Sequence, residues 1–159
     1  MERDDRRRFV HEHRTAVLGY NRRSEGPAMT LVHYVTDGDD LLVSTTAARA
    51  KTLAVKRNSK VSRCILDEQW PPAYLQVYGE AVVDEDLEHA VDLMCQIIDR
   101  TTDAGMSPER LPGVRQMCEE QRRVVIRVTP QSTFTTPPRG GRQPESGEVP
   151  TIVTTSLPW

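Results

Sequence analysis

The sequence has no long apolar run. Its longest uninterrupted apolar stretches, such as residues 41–43 and 124–126, fall far short of the roughly 20 residues that carry a helix across a bilayer. That excludes a helical membrane protein. The N-terminal MERDDRRRFVHEHR contains no apolar h-region, so no secretory signal is expected and the chain reads as cytoplasmic. Cysteines are few: Cys64, Cys95 and Cys118 are odd in number, widely spaced and free of any CxxC. A disulfide framework and a zinc ribbon are thereby excluded, and reduced thiols are expected. An excess of one charge is missing too. Lys and Arg total 21 against 23 Asp and Glu, a net charge of −2, which provides no general attraction to nucleic acid. Catalytic signatures are absent: there is no GxGxxG, P-loop or GxSxG. No His/Cys/Asp group has metal-ligand spacing, and Glu80 and Asp84 make no persuasive acid–base pair. His11 and His13 read as surface imidazoles, His33 as a packed strand residue and His89 as a solvated one. Neither a catalytic residue nor a metal ligand is assigned.

What is present suffices for a fold. With 159 residues, 37% of them hydrophobic, the chain is long enough for one core without staples. A polar helix is expected over residues 2–13. Strands are expected at 15–20, at 27–36 with Pro27 leading, and at 41–45, the last two joined by an Asp-Gly-Asp-Asp hairpin turn at 37–40. Thr46 reads as the N-cap of a helix over 47–58. Further strands follow at 61–67 and 73–83, with Gly79 marking a bulge or a close backbone approach. Residues 87–100 place Leu87, Ala90, Val91, Met94, Ile97 and Ile98 on one helical face, capped by Asp84 or Asp86. A second helix spans 109–121 with a weak point at Pro112-Gly113, and the last strand is 123–128. Residues 1–136 therefore form one domain. Residues 137–159, starting with Pro- and Gly-rich low complexity, form a tail whose part after Arg139 is expected to be dispensable for folding, although the apolar residues within 149–159 allow either docking or a mobile end. Hairpins rather than repeated βαβ units exclude a doubly wound sheet and favour a small antiparallel barrel with helices at one end.

The charge is unevenly placed. Residues 49–63 read RAKTLAVKRNSKVSR, with six cations and no acid. Residues 42–58 bring Ser44, Thr45 and Thr46 out of a strand into a turn, followed by Arg49 and Lys51 at a helix start. Hydroxyls, free first-turn amides and two cations are the parts of a phosphate cradle. A solvated helix face is the bland alternative.

The ordered set STTAARAKTLAVKRNSKVSRCILDE followed by AYLQVYGEAVV resembles the split β-barrel family of flavin and deazaflavin oxidoreductases, which includes pyridoxamine 5′-phosphate oxidase. The form Arg49-Ala50-Lys51 and the modest length are closer to the F-420-dependent actinobacterial branch. The resemblance covers about residues 7–136. It implies a mainly β, α+β chain folded as an antiparallel split β-barrel of the FMN-binding type, and a homodimer with its sites at the interface. In that reading Ser44, Thr45, Thr46, Arg49, Ala50 and Lys51 hold the cofactor phosphate. Met29, Thr30 and Leu31 lie along the ring, Trp70 and Gln76 come from the partner subunit, and Lys56 and Arg57 meet an anionic tail. The expected activity is hydride transfer from reduced F-420 to an electron-poor small molecule such as a quinone, a conjugated enone or a tetrapyrrole. The alternatives are an FMN enzyme on the same turn and a non-enzymatic cofactor-binding or carrier module.

Overall fold

The computed structural model describes residues 1–67, 69, 73–135 and 156–159. Its elements run α1 (Arg3–Glu12), β1 (Thr15–Tyr20), β2 (Ala28–His33), β3 (Val35–Asp37), β4 (Asp40–Thr46), α2 (Ala50–Arg57), β5 (Lys60–Asp67) and β6 (Ala73–Asp84). Then come α3 (Leu87–Thr101), a 3-10 turn (Pro108–Arg110), α4 (Leu111–Glu120), β7 (Arg123–Phe134) and β8 (Leu157–Pro158). All strand pairings are antiparallel. The sheet order is β2-β1-β5-β6-β7-β4-β3, with β8 added to β7. This curled sheet is the split β-barrel architecture that the sequence implied.

Alternation along the strands decides what faces inward. Leu18, Val32, Leu41, Val43, Ile65, Leu75, Val77, Ile126 and Val128 are all buried in one interior cluster. The opposite face of β4 and β7 sends Leu42 and Val125 against Ala90 and Leu93 of α3, while α4 packs Val114 and Cys118 on the far side of Val91. Asp86 is the cap of α3, its carboxylate accepting from the His89 amide at 3.1 Å. The Gly38 turn has φ +57, the left-handed region that glycine tolerates best.

Three expectations change in detail. The strand foreseen over 27–36 is two strands, because Tyr34 turns into the core, where it is 1% exposed. Its amide bonds the Arg14 carbonyl and its hydroxyl donates to the Val10 carbonyl at 2.6 Å. The chain changes partner there, from β1 to β4. Pro112 is no weak point: it sits in the first turn of α4, where its missing N–H costs nothing. The last strand runs past Val128 to Phe134 despite Pro130, because Pro130 lies opposite Gly79 at the register shift in β6. A bulge is where a strand loses a ladder bond anyway. A Cβ on Gly79 would lie 2.4 Å from the Thr129 carbonyl oxygen, so the close approach requires glycine.

The chain end departs furthest from expectation. Leu157 and Pro158 pair with Thr133 and Ser132, the Trp159 amide bonds the Gln131 carbonyl, and the Trp159 side chain packs on the interior cluster. Arg6 donates to the Pro158 carbonyl at 2.8 Å, and the Arg7 guanidinium lies 5.9 Å from the Trp159 ring centroid. The last residues of the tail are therefore packed on the barrel, where a large aromatic with a hydrogen-bonded backbone works against its ordering entropy. Trp159→Ala is expected to cost roughly 2 kcal/mol, within the range for truncating a partly buried aromatic. Urea denaturation of the variant checks this, and an unchanged midpoint would leave the tail without a structural role.

Candidate functional site

The turn after β4 is set by its neighbour. Thr46 pairs with Arg123 of β7, and the Ala47 amide bonds the Arg122 carbonyl at 2.9 Å. The chain then leaves the sheet, and α2 begins only at Ala50, with Arg49 in the N-cap position and no side-chain cap. Thr46 is therefore not the cap. Its carbonyl, rather than its hydroxyl, holds the turn, accepting from the Arg49 amide at 3.1 Å and from the Thr52 hydroxyl at 2.8 Å. The first-turn amides of a helix have no intrahelical acceptor. Here none receives a side-chain oxygen from the N-cap residue.

The two cations at this helix start are left without acids. Among the described residues neither Arg49 nor Lys51 makes an ion pair. Arg49 is exposed and Lys51 half-buried. Burial, and next the Arg49 guanidinium, hold the Lys51 ammonium below its ordinary pKa. Two like charges, one of them partly desolvated, beside uncapped amides form an arrangement that an anion relieves. The donor set fits the phosphate of a flavin or deazaflavin.

The hydroxyls foreseen beside these cations do not converge. β4 alternates, so Ser44 and Thr46 lie on one face and Thr45, 4% exposed, on the other. The Ser44 hydroxyl accepts from Arg123 Nη1 at 3.1 Å. Arg122 and Arg123, which sequence reasoning did not single out, reach this end of β4 only because β7 pairs with a strand far away in sequence, Thr46 meeting Arg123 and Ala47 meeting Arg122; the consecutive arginines were the available signal. Lys56 forms an ion pair with Glu85, and Arg57 donates to the Leu53 carbonyl at 2.9 Å. Arg63, counted in the same basic block, is 0% exposed inside the barrel. The block is thus not one surface.

The ring-side candidates divide by strand alternation. Met29 and Leu31 project outward, 75% and 69% exposed, whereas Thr30 lies on the other face and is half-buried. Register extends Leu31 through Val17, Cys64 and Gln76 to Phe134, and Met29 through Gly19 and Ser62 to Tyr78. Gln76 therefore shares a face with Met29 and Leu31. Trp70 lies outside the described residues. The cavity of about 290 Å³ beneath α3 contains none of the candidates. Its Arg127 is taken up by Asp37 and Asp40 and its His89 by Asp84, so this half-open hollow is lined by charges that already satisfy one another. The basic turn, by contrast, begins at the exposed Arg49. Among the described residues no group of His, Cys, Asp and Glu is placed to hold a metal, and no helix is long and apolar enough to cross a membrane.

Comparison with known proteins agrees with this geometry. The family model described as pyridoxamine 5′-phosphate oxidase matches residues 3–136, and the chain belongs to that family. No curated protein matches the sequence. Among solved structures, a conserved hypothetical protein from Mycobacterium tuberculosis is 23% identical with a TM-score of 0.74, covering 85% of this chain and 84% of that one. An F420 reductase is 25% identical with a TM-score of 0.60, covering 76% of this chain and 88% of its own. The heme storage protein HutZ from Vibrio cholerae is 17% identical with a TM-score of 0.60, covering 83% and 92%.

The strained lysine predicts a trade of stability for binding. Because the folded pKa of Lys51 is below its unfolded value, the unfolded chain binds more protons between the two values, and this group's contribution to stability rises with pH across that window. Lys51→Met is expected to keep or raise the ligand-free urea midpoint at pH 7 and to flatten the rise toward alkaline pH. A loss of stability at pH 7 would show that Lys51 is a structural cation.

Proposed function

We propose that this chain is an F-420-binding oxidoreductase that acts, as a homodimer, on an electron-poor small organic molecule. The observation that carries the reading is the half-buried Lys51 beside Arg49 at an uncapped helix start, without an acid partner among the described residues. A phosphate there accepts from both cations and from the first-turn amides, and returns Lys51 toward its ordinary pKa. Membership of the family supports a flavin-type group, and the likeness to the F420 reductase supports the deazaflavin. When bound, the deazaflavin supplies the hydride chemistry, which is why the chain needs no catalytic triad. The chain's own residues bind and orient: Arg49 and Lys51 grip the anion, while Met29 and Leu31 offer apolar surface to a flat ring and Gln76 an amide on the same face.

FMN carries the same phosphate and fits the same turn. The extra tail cations count for less than their number suggests, since Arg63 is inside the barrel and Lys56 is held by Glu85. Self-association is supported by the bare outer face. Met29, Leu31, Tyr78 and Val17 are exposed together along adjacent strands, an apolar surface that a second copy covers.

Lys51→Ala should weaken F-420 binding by roughly one to two decades, the loss of a charge-assisted contact of about 1.5–3 kcal/mol. Lys56→Ala should cost less, and its effect should fade with salt. Fluorescence titration with F-420 and FMN at two salt concentrations measures both. Equal F-420 affinity in the wild type and Lys51→Ala removes the phosphate assignment; tighter FMN binding keeps the turn and changes the cofactor. Turnover of reduced cofactor with a quinone or enone acceptor tests catalysis, and binding without turnover makes the chain a carrier.

Sedimentation at micromolar concentration should show a dimer. Met29→Asp combined with Leu31→Asp, placing charge on the bare face, should give a folded monomer. A monomeric wild type removes the interface site.

A further inference from the structure

We propose that the interior of this barrel holds a small monovalent anion, of the size of chloride, against the Arg63 guanidinium. Arg63 is 0% exposed. Its backbone register sets it between Leu18 of β1 and Val77 of β6, both members of the apolar interior. One of its nitrogens, Nη2, donates to the Leu41 carbonyl at 3.2 Å. Nε and Nη1 are buried and have no partner, leaving three N–H groups unsatisfied, one on Nε and two on Nη1. Among the described residues no carboxylate pairs with it.

The neighbouring acid does not fill the gap. Tyr34 is also buried, and burial raises its phenol pKa against the pull of Arg63 and Arg100. It stays neutral and spends its proton on the Val10 carbonyl. Burial lowers the Arg63 pKa to about 9, which still leaves a positive charge at neutral pH. A sealed guanidinium without a counter-charge is among the most expensive arrangements a core can contain.

The pattern of unsatisfied atoms gives the sign of what is missing. Every buried side-chain atom without a partner among the described residues is a nitrogen donor: Arg6 Nε, Arg7 Nε, Arg63 Nε and Nη1, and Trp159 Nε1. No acceptor is left over. Unmatched donors call for an acceptor-only occupant. Water would accept the hydrogen bonds yet leave the charge uncompensated, whereas an anion answers both. Aliphatic walls on either side and a fully closed surface restrict the occupant to a small ion. This site is separate from the Lys51 turn and stands or falls independently of the cofactor reading.

The test uses the full chain and its Lys51→Met variant, whose external anion site is removed. Thermal melting at constant ionic strength compares sodium gluconate, chloride and bromide. Both proteins are expected to melt a few degrees higher in the halides, since an ion bound only by the folded state stabilises it. Crystals grown in bromide are expected to give an anomalous peak in contact with Nε or Nη1 of Arg63. Arg63→Met should fold without the halide dependence. If that variant does not fold, the bromide map of the wild type decides alone. Equal melting in gluconate and chloride, or a map with only water at Arg63, overturns the proposal.

Discussion

The pairing of β4 with β7 is the constraint on which the rest of this molecule depends. It runs in register from Leu41 opposite Val128 to Thr46 opposite Arg123. It closes the barrel interior on one side and presents Leu42 and Val125 to α3 on the other. It also fixes the place where β4 must stop, because Ala47 is tied to the Arg122 carbonyl. The three residues that follow cannot continue the ladder and have not yet begun α2. That gap leaves the helix start without a side-chain cap and puts Arg49 and Lys51 beside free amides. The proposed anion cradle is thus a by-product of where one strand ends.

β7 extends the same logic at its other end. Past the bulge that joins Gly79 to Pro130 it pairs with β6 through Phe134, and on the side that β4 has vacated it accepts Leu157 and Pro158. Trp159 then packs on the interior cluster, with the Arg7 guanidinium of α1 near its ring. One long strand therefore organises the anion turn, the barrel wall and the docking of the chain end. The barrel interior that results is apolar except for a few polar groups, Arg63 above all. A cation sealed within such a wall is a demand for something that the acids among the described residues do not supply.

The outer face of the barrel obeys a different rule. Period-two alternation that buries Leu18 and Val32 necessarily exposes Val17 and Leu31. These outward positions are apolar where a lone soluble barrel would carry charge. In the proposed homodimer this outer face and the open basic turn are the surfaces that a second copy would cover.

By itself the sequence determined most of the element order, the hairpin at Gly38, the irregularity at Gly79 and the amphipathic face of α3, and it narrowed the cap of α3 to Asp84 or Asp86. Each follows from periodicity or from backbone preferences acting over a few residues. The sequence also located the basic turn, because Arg49 and Lys51 are separated by only one residue in the chain. Only the tertiary structure decided which cations share a surface. Six positive residues in a row of fifteen read as one patch, yet strand alternation buried Arg63 and a long-range ion pair took Lys56. It likewise decided that Thr45 faces the core while Ser44 meets Arg123, and that an apparently low-complexity tail ends in a packed tryptophan. The physical reason is common to all four. Burial and pairing depend on which segments meet across the sheet, and no local pattern contains that information.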